Sequence, residues 1–238
     1  MATRNLLLAA LPGEVRERLS PHMKTVRLTL REVLHRPGKT IKDVYFPLDC
    51  LLSVTVTTVE GRTAEAVVVG NRELAGVNAF MNGRETSQTG FVCQVPGDAV
   101  RVAAKPLSDE FDNVKAVRDV MLRFTQAYIA QLSQNVACNR LHNTEQRLAR
   151  WLLECRDRLG SKDLALTHEV IAEMLGVHRP GVSEACGKLQ NRGLIRLGRK
   201  AIRITDPSGL EAASCECYRV TRDEYDRLLG PLIGQGKS

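Results

Sequence analysis

Apolar positions follow two rhythms along this chain, and the change comes near Pro106. Before it, residues 26–30, 43–48, 51–59, 64–69, 91–95 and 99–104 are short runs, rich in β-branched residues and partly alternating. Successive side chains of a strand point to opposite faces, so this pattern predicts strands. Turn-forming clusters separate them: Arg36-Pro37-Gly38-Lys39, Val59-Glu60-Gly61-Arg62 and Val95-Pro96-Gly97-Asp98. The middle cluster predicts a hairpin between residues 51–58 and 63–69. Several short strands at regular spacing predict a β-sandwich or barrel. Ahead of them, Leu7, Leu8, Leu11 and Leu19 mark residues 5–20 as an amphipathic helix of the fold, since no cleavage site of a signal peptide follows.

After Pro106 the period is helical. Over residues 108–136, Val114, Val117, Met121, Phe124 and Tyr128 recur at 3,4,3,4 spacing, the spacing of a coiled-coil seam. A run of this length between two domains is read as a dimer helix, the alternative being one amphipathic helix packed on its own domain; the next seam positions, Gln131 and Asn135, are polar. Residues 144–159 form a second helix, with Leu148, Trp151, Leu152 and Cys155 as its inner stripe and Gly160 as its stop.

Residues 167–196 then read THEVIAEMLGVHRPGVSEACGKLQNRGLIR. Thr167 is the expected N-cap of a short helix whose apolar face is Val170, Ile171, Met174 and Leu175. Gly176 allows a sharp turn. A second helix starts near Arg179, with Pro180 tolerated in its first turn. Val182, Ala185, Cys186 and Leu189 face inward, which leaves Arg179, Ser183, Glu184, Gly187, Lys188 and Asn191 outside. Two helices joined by a glycine turn are a helix-turn-helix, whose second helix fits the DNA major groove. Residues 194–197 and 201–204 flank Gly198-Arg199-Lys200, a basic-tipped hairpin placed where a phosphate backbone would pass.

Charge sharpens this picture. The 238-residue chain has a formal net charge of +7, and residues 140–204 hold 13 Lys/Arg against 7 Asp/Glu. Such a local excess is the electrostatic footprint of nucleic-acid binding. The seven cysteines are scattered, odd in number and without a CxxC pair. That argues against a disulfide framework and for a reducing, cytoplasmic setting. Cys215 and Cys217 show no Cys or His partner nearby in sequence, and His35, His142, His168 and His178 are spread out, so no metal site is expected. No apolar run reaches the roughly 20 residues of a membrane span. With no nucleophile–base pair, metal triad or phosphate-binding glycine loop, no catalytic residues and no enzymatic activity are expected.

The order of parts resembles the Crp/Fnr family of bacterial transcription regulators. The specific match is residues 145–204: EQRLARWLL, then LTHEVIAEMLGVHRPGVSEACGKLQNRGLI, then GRKAIRI. The resemblance implies an α+β fold: an N-terminal antiparallel β-roll of jelly-roll type, a long dimerisation helix and a C-terminal winged helix-turn-helix. The corresponding segments are residues 1–107, 108–139 and 140–218, followed by a tail, 219–238, with a short helix. It further implies a homodimer on a two-fold symmetric double-stranded DNA site, with RNA polymerase and a small-molecule effector as candidate further partners. Arg179, Ser183, Glu184 and Lys188 would read bases; Thr167, His178, Arg199 and Lys200 would hold phosphates.

Two departures qualify the resemblance. Many members carry Arg-Glu-x-x-x-Arg on the recognition helix. Here the corresponding residues are Arg179, Pro180 and Glu184, so the target sequence is expected to differ. Members that bind cyclic nucleotides carry Gly-Glu and later Arg-Ser/Thr-Ala, whose Arg pairs with the phosphate. Residues 70–91 lack Arg-Ser-Ala, with Gln88-Thr89-Gly90 near its place and Arg84 out of register. Glu73, Arg84, Gln88 and Thr89 are the candidate effector-pocket residues, and cyclic AMP binding in the family's usual manner is not expected. The alternative is a β-roll that senses a cyclic nucleotide or a protein partner on which DNA binding depends.

Overall fold

In the computed structural model, which describes residues 4–61, 63–81 and 89–235, the alternating runs pair into two antiparallel sheets. One holds β1 (Met23–Leu28), β7 (Gly97–Ala103) and β3 (Asp43–Pro47), in that order; the other orders β2 (Val33–His35), β6 (Thr89–Val95), β4 (Leu51–Thr57) and β5 (Thr63–Val69). The expected hairpin is present: Leu52 pairs with Val69 and Thr57 with Thr63. β2 went unpredicted because three residues are too few for alternation to register. The N-terminal helix is two pieces, α1 (Leu6–Ala9) and α2 (Gly13–Leu19), broken before Pro12. The residue before a proline is pushed away from the helical region. Leu52, Val54, Val67, Val69, Phe46 and Phe91 fill the space between the sheets, with Leu7, Leu8 and Leu19 closing one end.

The helical stretch after the strands is also divided. α3 spans Ala104–Asn113, with Pro106 in its first turn where a missing N–H costs nothing. Val114 is extended, and α4 runs Lys115–Leu141. The five expected seam residues do not form an exposed seam. Val117, Met121, Phe124 and Tyr128 are buried against the β-roll core of their own chain, and Val114 packs on its edge. A 3,4 spacing identifies an apolar helix face, not what covers it.

α5 (Thr144–Leu159) begins at the Asn143–Gln146 capping box and stops at left-handed Gly160, the stop expected from the sequence. It opens a second core. Around it stand α6 (His168–Leu175), α7 (Arg179–Asn191), α8 (Pro207–Ala213) and a three-stranded sheet ordered β8 (Asp163–Leu164), β10 (Ile202–Ile204), β9 (Ile195–Leu197). The wing is therefore a hairpin with a third strand. The tail helix, α9 (Cys217–Gln235), is longer than expected; it packs along α4, placing Tyr225, Leu228 and Leu229 in the β-roll core.

The two cores share a packed boundary. Leu51, Val68 and Val95 of the β-roll belong to the second core. Buried Arg158 on α5 ion-pairs at 2.9 Å with fully buried Glu73, in the segment after β5. Gly70 permits this approach: a Cβ there would lie 2.3 Å from the Cβ of Arg158.

Candidate nucleic-acid interface

Local chemistry sets the helix pair. The Thr167 hydroxyl accepts from the Val170 amide and starts α6. Gly176, at φ 62°, ends it; in that conformation a Cβ would be strained, so the turn is tight. α7 buries Val182, Ala185, Cys186 and Leu189 against α5 and α6, the inward set read from the sequence. The Arg147 guanidinium donates to the Leu175 carbonyl and ties the end of α6 to α5. Arg192 pairs with Glu145 at 2.9 Å, anchoring the C-terminal end of α7.

The outward face of α7 carries Arg179, Ser183, Glu184 and Lys188, all exposed. Ser183 lies 3.1 Å from His168 Nδ1, which links the two helices of the motif. Glu184 and Lys188 pair at 2.8 Å, one turn apart. Each favours the other's charged form: the Glu184 carboxyl is held below its usual range and the Lys188 ammonium above. Lys188 therefore reaches a partner only by leaving Glu184, whereas Arg179 has no acidic partner among the described residues. His178 is exposed at the N-cap of α7 and makes no side-chain cap.

The wing extends the basic surface. Gly198 N donates to Ala201 O at 2.8 Å and closes the tip, where Arg199 and Lys200 project without acidic partners among the described residues. The register sets Arg203 opposite Arg196, while Ile202 and Ile204 are buried behind them. These two arginines were not singled out from the sequence, although the Ile-Arg-Leu and Ile-Arg-Ile alternation carries the signal. Arg203 is partly offset by Asp163 at 3.7 Å, whereas Arg196 has no acidic partner among the described residues.

Of the expected effector set, the structure describes Glu73 and Thr89. Glu73 is fully buried, and its carboxylate is engaged by Arg158 and by the Gly70 amide at 2.6 Å. Thr89 opens β6, paired with Val56. Arg84 and Gln88 lie outside the described residues. A cleft of about 310 Å³ near the start of the β-roll is lined by Lys39, Lys42, His35 and Tyr45, away from Glu73.

Residues 146–213 match the model of the Crp-like helix-turn-helix domain. The chain is 25% identical over 159 residues to a CRP-like cAMP-activated global transcriptional regulator of Mycobacterium tuberculosis, an alignment covering 63% of this chain and 70% of that one. A crp/fnr-family transcriptional regulator from Eubacterium rectale shares the fold with a TM-score of 0.66 at 19% identity, over 87% of this chain and 96% of that one. FixK2 from Bradyrhizobium japonicum does so with a TM-score of 0.68 at 16% identity, over 81% and 98%. Among the described residues no helix is long and apolar enough to cross a membrane. Residues 146–213 thus match a Crp-like helix-turn-helix domain, and the α+β architecture around them is the fold of these crp/fnr-family structures.

Proposed function

We propose that this protein is a cytoplasmic, homodimeric regulator that reads a two-fold symmetric DNA site through α7. The carrying observation is a solvent-facing cationic surface built on a rigid frame: Arg179 on the first turn of α7, and Arg196, Arg199 and Lys200 on the wing. An arginine near the start of a groove-bound helix reaches base edges, and wing cations reach the backbone. Residues 1–107 serve as the sensor, 108–139 carry dimerisation and 140–218 read DNA, while α9 in the tail, 219–238, packs along the dimer helix.

The dimer face is the outer side of α4. Leu122, Ile129 and Val136 are exposed and recur every seven residues, one stripe of a two-helix seam. The pairing sets two α7 helices about one helical turn of DNA apart, roughly 34 Å. Ile129→Ser is expected to weaken dimerisation at least tenfold, read by sedimentation over a concentration series. An unchanged dimer would move the interface elsewhere.

Glu73 also bears on the sensor. Its carboxylate is engaged by Arg158 and the Gly70 amide and is not free for a ligand, which supports DNA binding without a cyclic nucleotide. The test is fluorescence anisotropy on DNA from the protein's own upstream region at fixed salt, because phosphate-driven affinity depends on salt. Arg179→Ala is expected to cost about 1–3 kcal/mol of specific affinity and to leave non-specific binding nearly unchanged. Added cyclic AMP is expected to leave the wild-type affinity where it is. Equal specific affinity for the variant would remove Arg179 from the reading surface, and tightening by cyclic AMP would refute the sensor reading.

A further inference from the structure

Four potential ligands, far apart in sequence, converge where the two cores meet the tail helix. Cys138 lies in the last turn of α4 and His142 is its C-cap; Cys215 follows α8 and Cys217 opens α9. Their Sγ and ring-nitrogen atoms all lie within 4.8 Å of one another. Cys138 Sγ is 3.5 Å from Cys215 Sγ, and Cys217 Sγ is 3.5 Å from His142 Nδ1. The three cysteines form a buried cluster of their own, separate from both hydrophobic cores. The sequence reading of Cys215, Cys217 and His142 as isolated residues is thereby overturned. Their partners sit on another helix, and only the packing of α9 along α4 brings them together.

We propose that Cys138, His142, Cys215 and Cys217 form a Cys3His site for one zinc-type divalent ion. With metal–sulfur bonds of about 2.3 Å and metal–nitrogen bonds of about 2.0 Å, the ligand atoms of a tetrahedral site stand roughly 3.5–3.8 Å apart. The two 3.5 Å separations match those edges, and a 4.8 Å upper limit leaves only a small contraction for closure. A disulfide needs sulfurs about 2.0 Å apart, and all seven cysteines are free. An iron–sulfur cluster spreads its ligands over separate iron atoms and needs a wider cage.

The surroundings fit the same chemistry. His142 Nε2 lies 3.3 Å from a Glu216 carboxylate oxygen, which fixes the ring and leaves Nδ1 to face the thiols. A carboxylate behind a ligating histidine orients the ring and raises its basicity. Gln134 Nε2 donates to Cys217 Sγ at 3.1 Å. Three thiolates and a neutral imidazole around a divalent ion leave one net negative charge, and Arg150 and Arg147 place positive charge beside Cys138. Binding releases the thiol protons to solvent. Asn143 caps α5 immediately after His142, so a bound ion joins the α4–α5 hinge to α8 and α9. That hinge connects the β-roll to the DNA-reading domain.

The test uses the full chain, stripped of metal under reductant and titrated with cobalt(II). Expected are thiolate-to-cobalt charge-transfer and tetrahedral d–d absorption saturating at one ion per chain, reversed by zinc. Cys217→Ser should abolish the tetrahedral spectrum. His142→Gln, at the end of a helix and tolerant of an amide, should weaken binding at least tenfold with the fold intact by circular dichroism. Cys50→Ser, in the β-roll core, should bind as the wild type does. No tetrahedral spectrum would overturn the site, as would one that survives both ligand substitutions. A Cys138–Cys215 disulfide with no metal uptake after reduction would overturn it too. None of these readouts uses DNA, so failure here is distinct from failure of the DNA-reading proposal.

Discussion

Arg158→Ala is expected to destabilise the protein by about 3–5 kcal/mol, because it strands Glu73 as a buried charge with no counter-ion. The guanidinium sits at a junction of four segments. It ion-pairs with Glu73 after β5, donates to Gln131 Oε1 on α4 at 3.1 Å, and lies over the Tyr225 ring on α9. Tyr225 OH donates to the same Gln131 oxygen at 3.0 Å. The neighbouring Glu73 charge holds Arg158 protonated against the cost of burial. Urea unfolding measures the loss. The paired replacement Glu73→Leu with Arg158→Met is expected to recover most of it, since an apolar pair of similar volume escapes both desolvation penalties. A loss below about 1 kcal/mol for Arg158→Ala would mean that water solvates the pair, as for a surface ion pair.

Glu65 is expected to make stability fall as pH rises through neutrality. The residue is on β5, its carboxyl turned into the boundary with α5, where it accepts from Trp151 Nε1 at 2.8 Å and from Ser53 Oγ. Desolvation pushes its pKa from 4.5 up to about 7, more than the two hydrogen bonds lower it. The folded state thus holds this proton more tightly than the unfolded chain does. The stabilisation is fully present below about pH 4.5 and lost as pH climbs through about 7, a swing on the order of 3 kcal/mol. Glu65→Gln keeps an acceptor for Trp151 and removes the titration. Denaturation of both proteins at about pH 5 and pH 8 should show the wild type losing that much more than the variant. Because Trp151 is the single tryptophan, its fluorescence should titrate over the same range in the wild type alone. Parallel pH profiles for the two proteins would show that Glu65 stays ionised throughout.

Much of the helix-turn-helix was legible from consecutive residues. Thr167, Gly176 and Gly160 act within a turn of themselves, and the inward set Val182, Ala185, Cys186 and Leu189 follows from 3.6-residue periodicity alone. The strand pattern up to Ala103 and the β4–β5 hairpin were legible for the same reason: side-chain alternation and turn chemistry are written in consecutive residues. β8 escaped notice because two residues carry no period. The break at Val114 escaped notice because neither glycine nor proline marks it.

Local elements, their order and the side chains that the helix pair presents to solvent follow from neighbours a few residues away along the chain. Which face of α4 the β-roll covers, that Glu73 pairs with Arg158, and that Cys138 and His142 meet Cys215 and Cys217 were settled by the tertiary structure alone. Those outcomes depend on contacts between residues distant along the chain. An apolar stripe, a carboxylate or a thiol states what chemistry it can offer, and long-range packing chooses its partner.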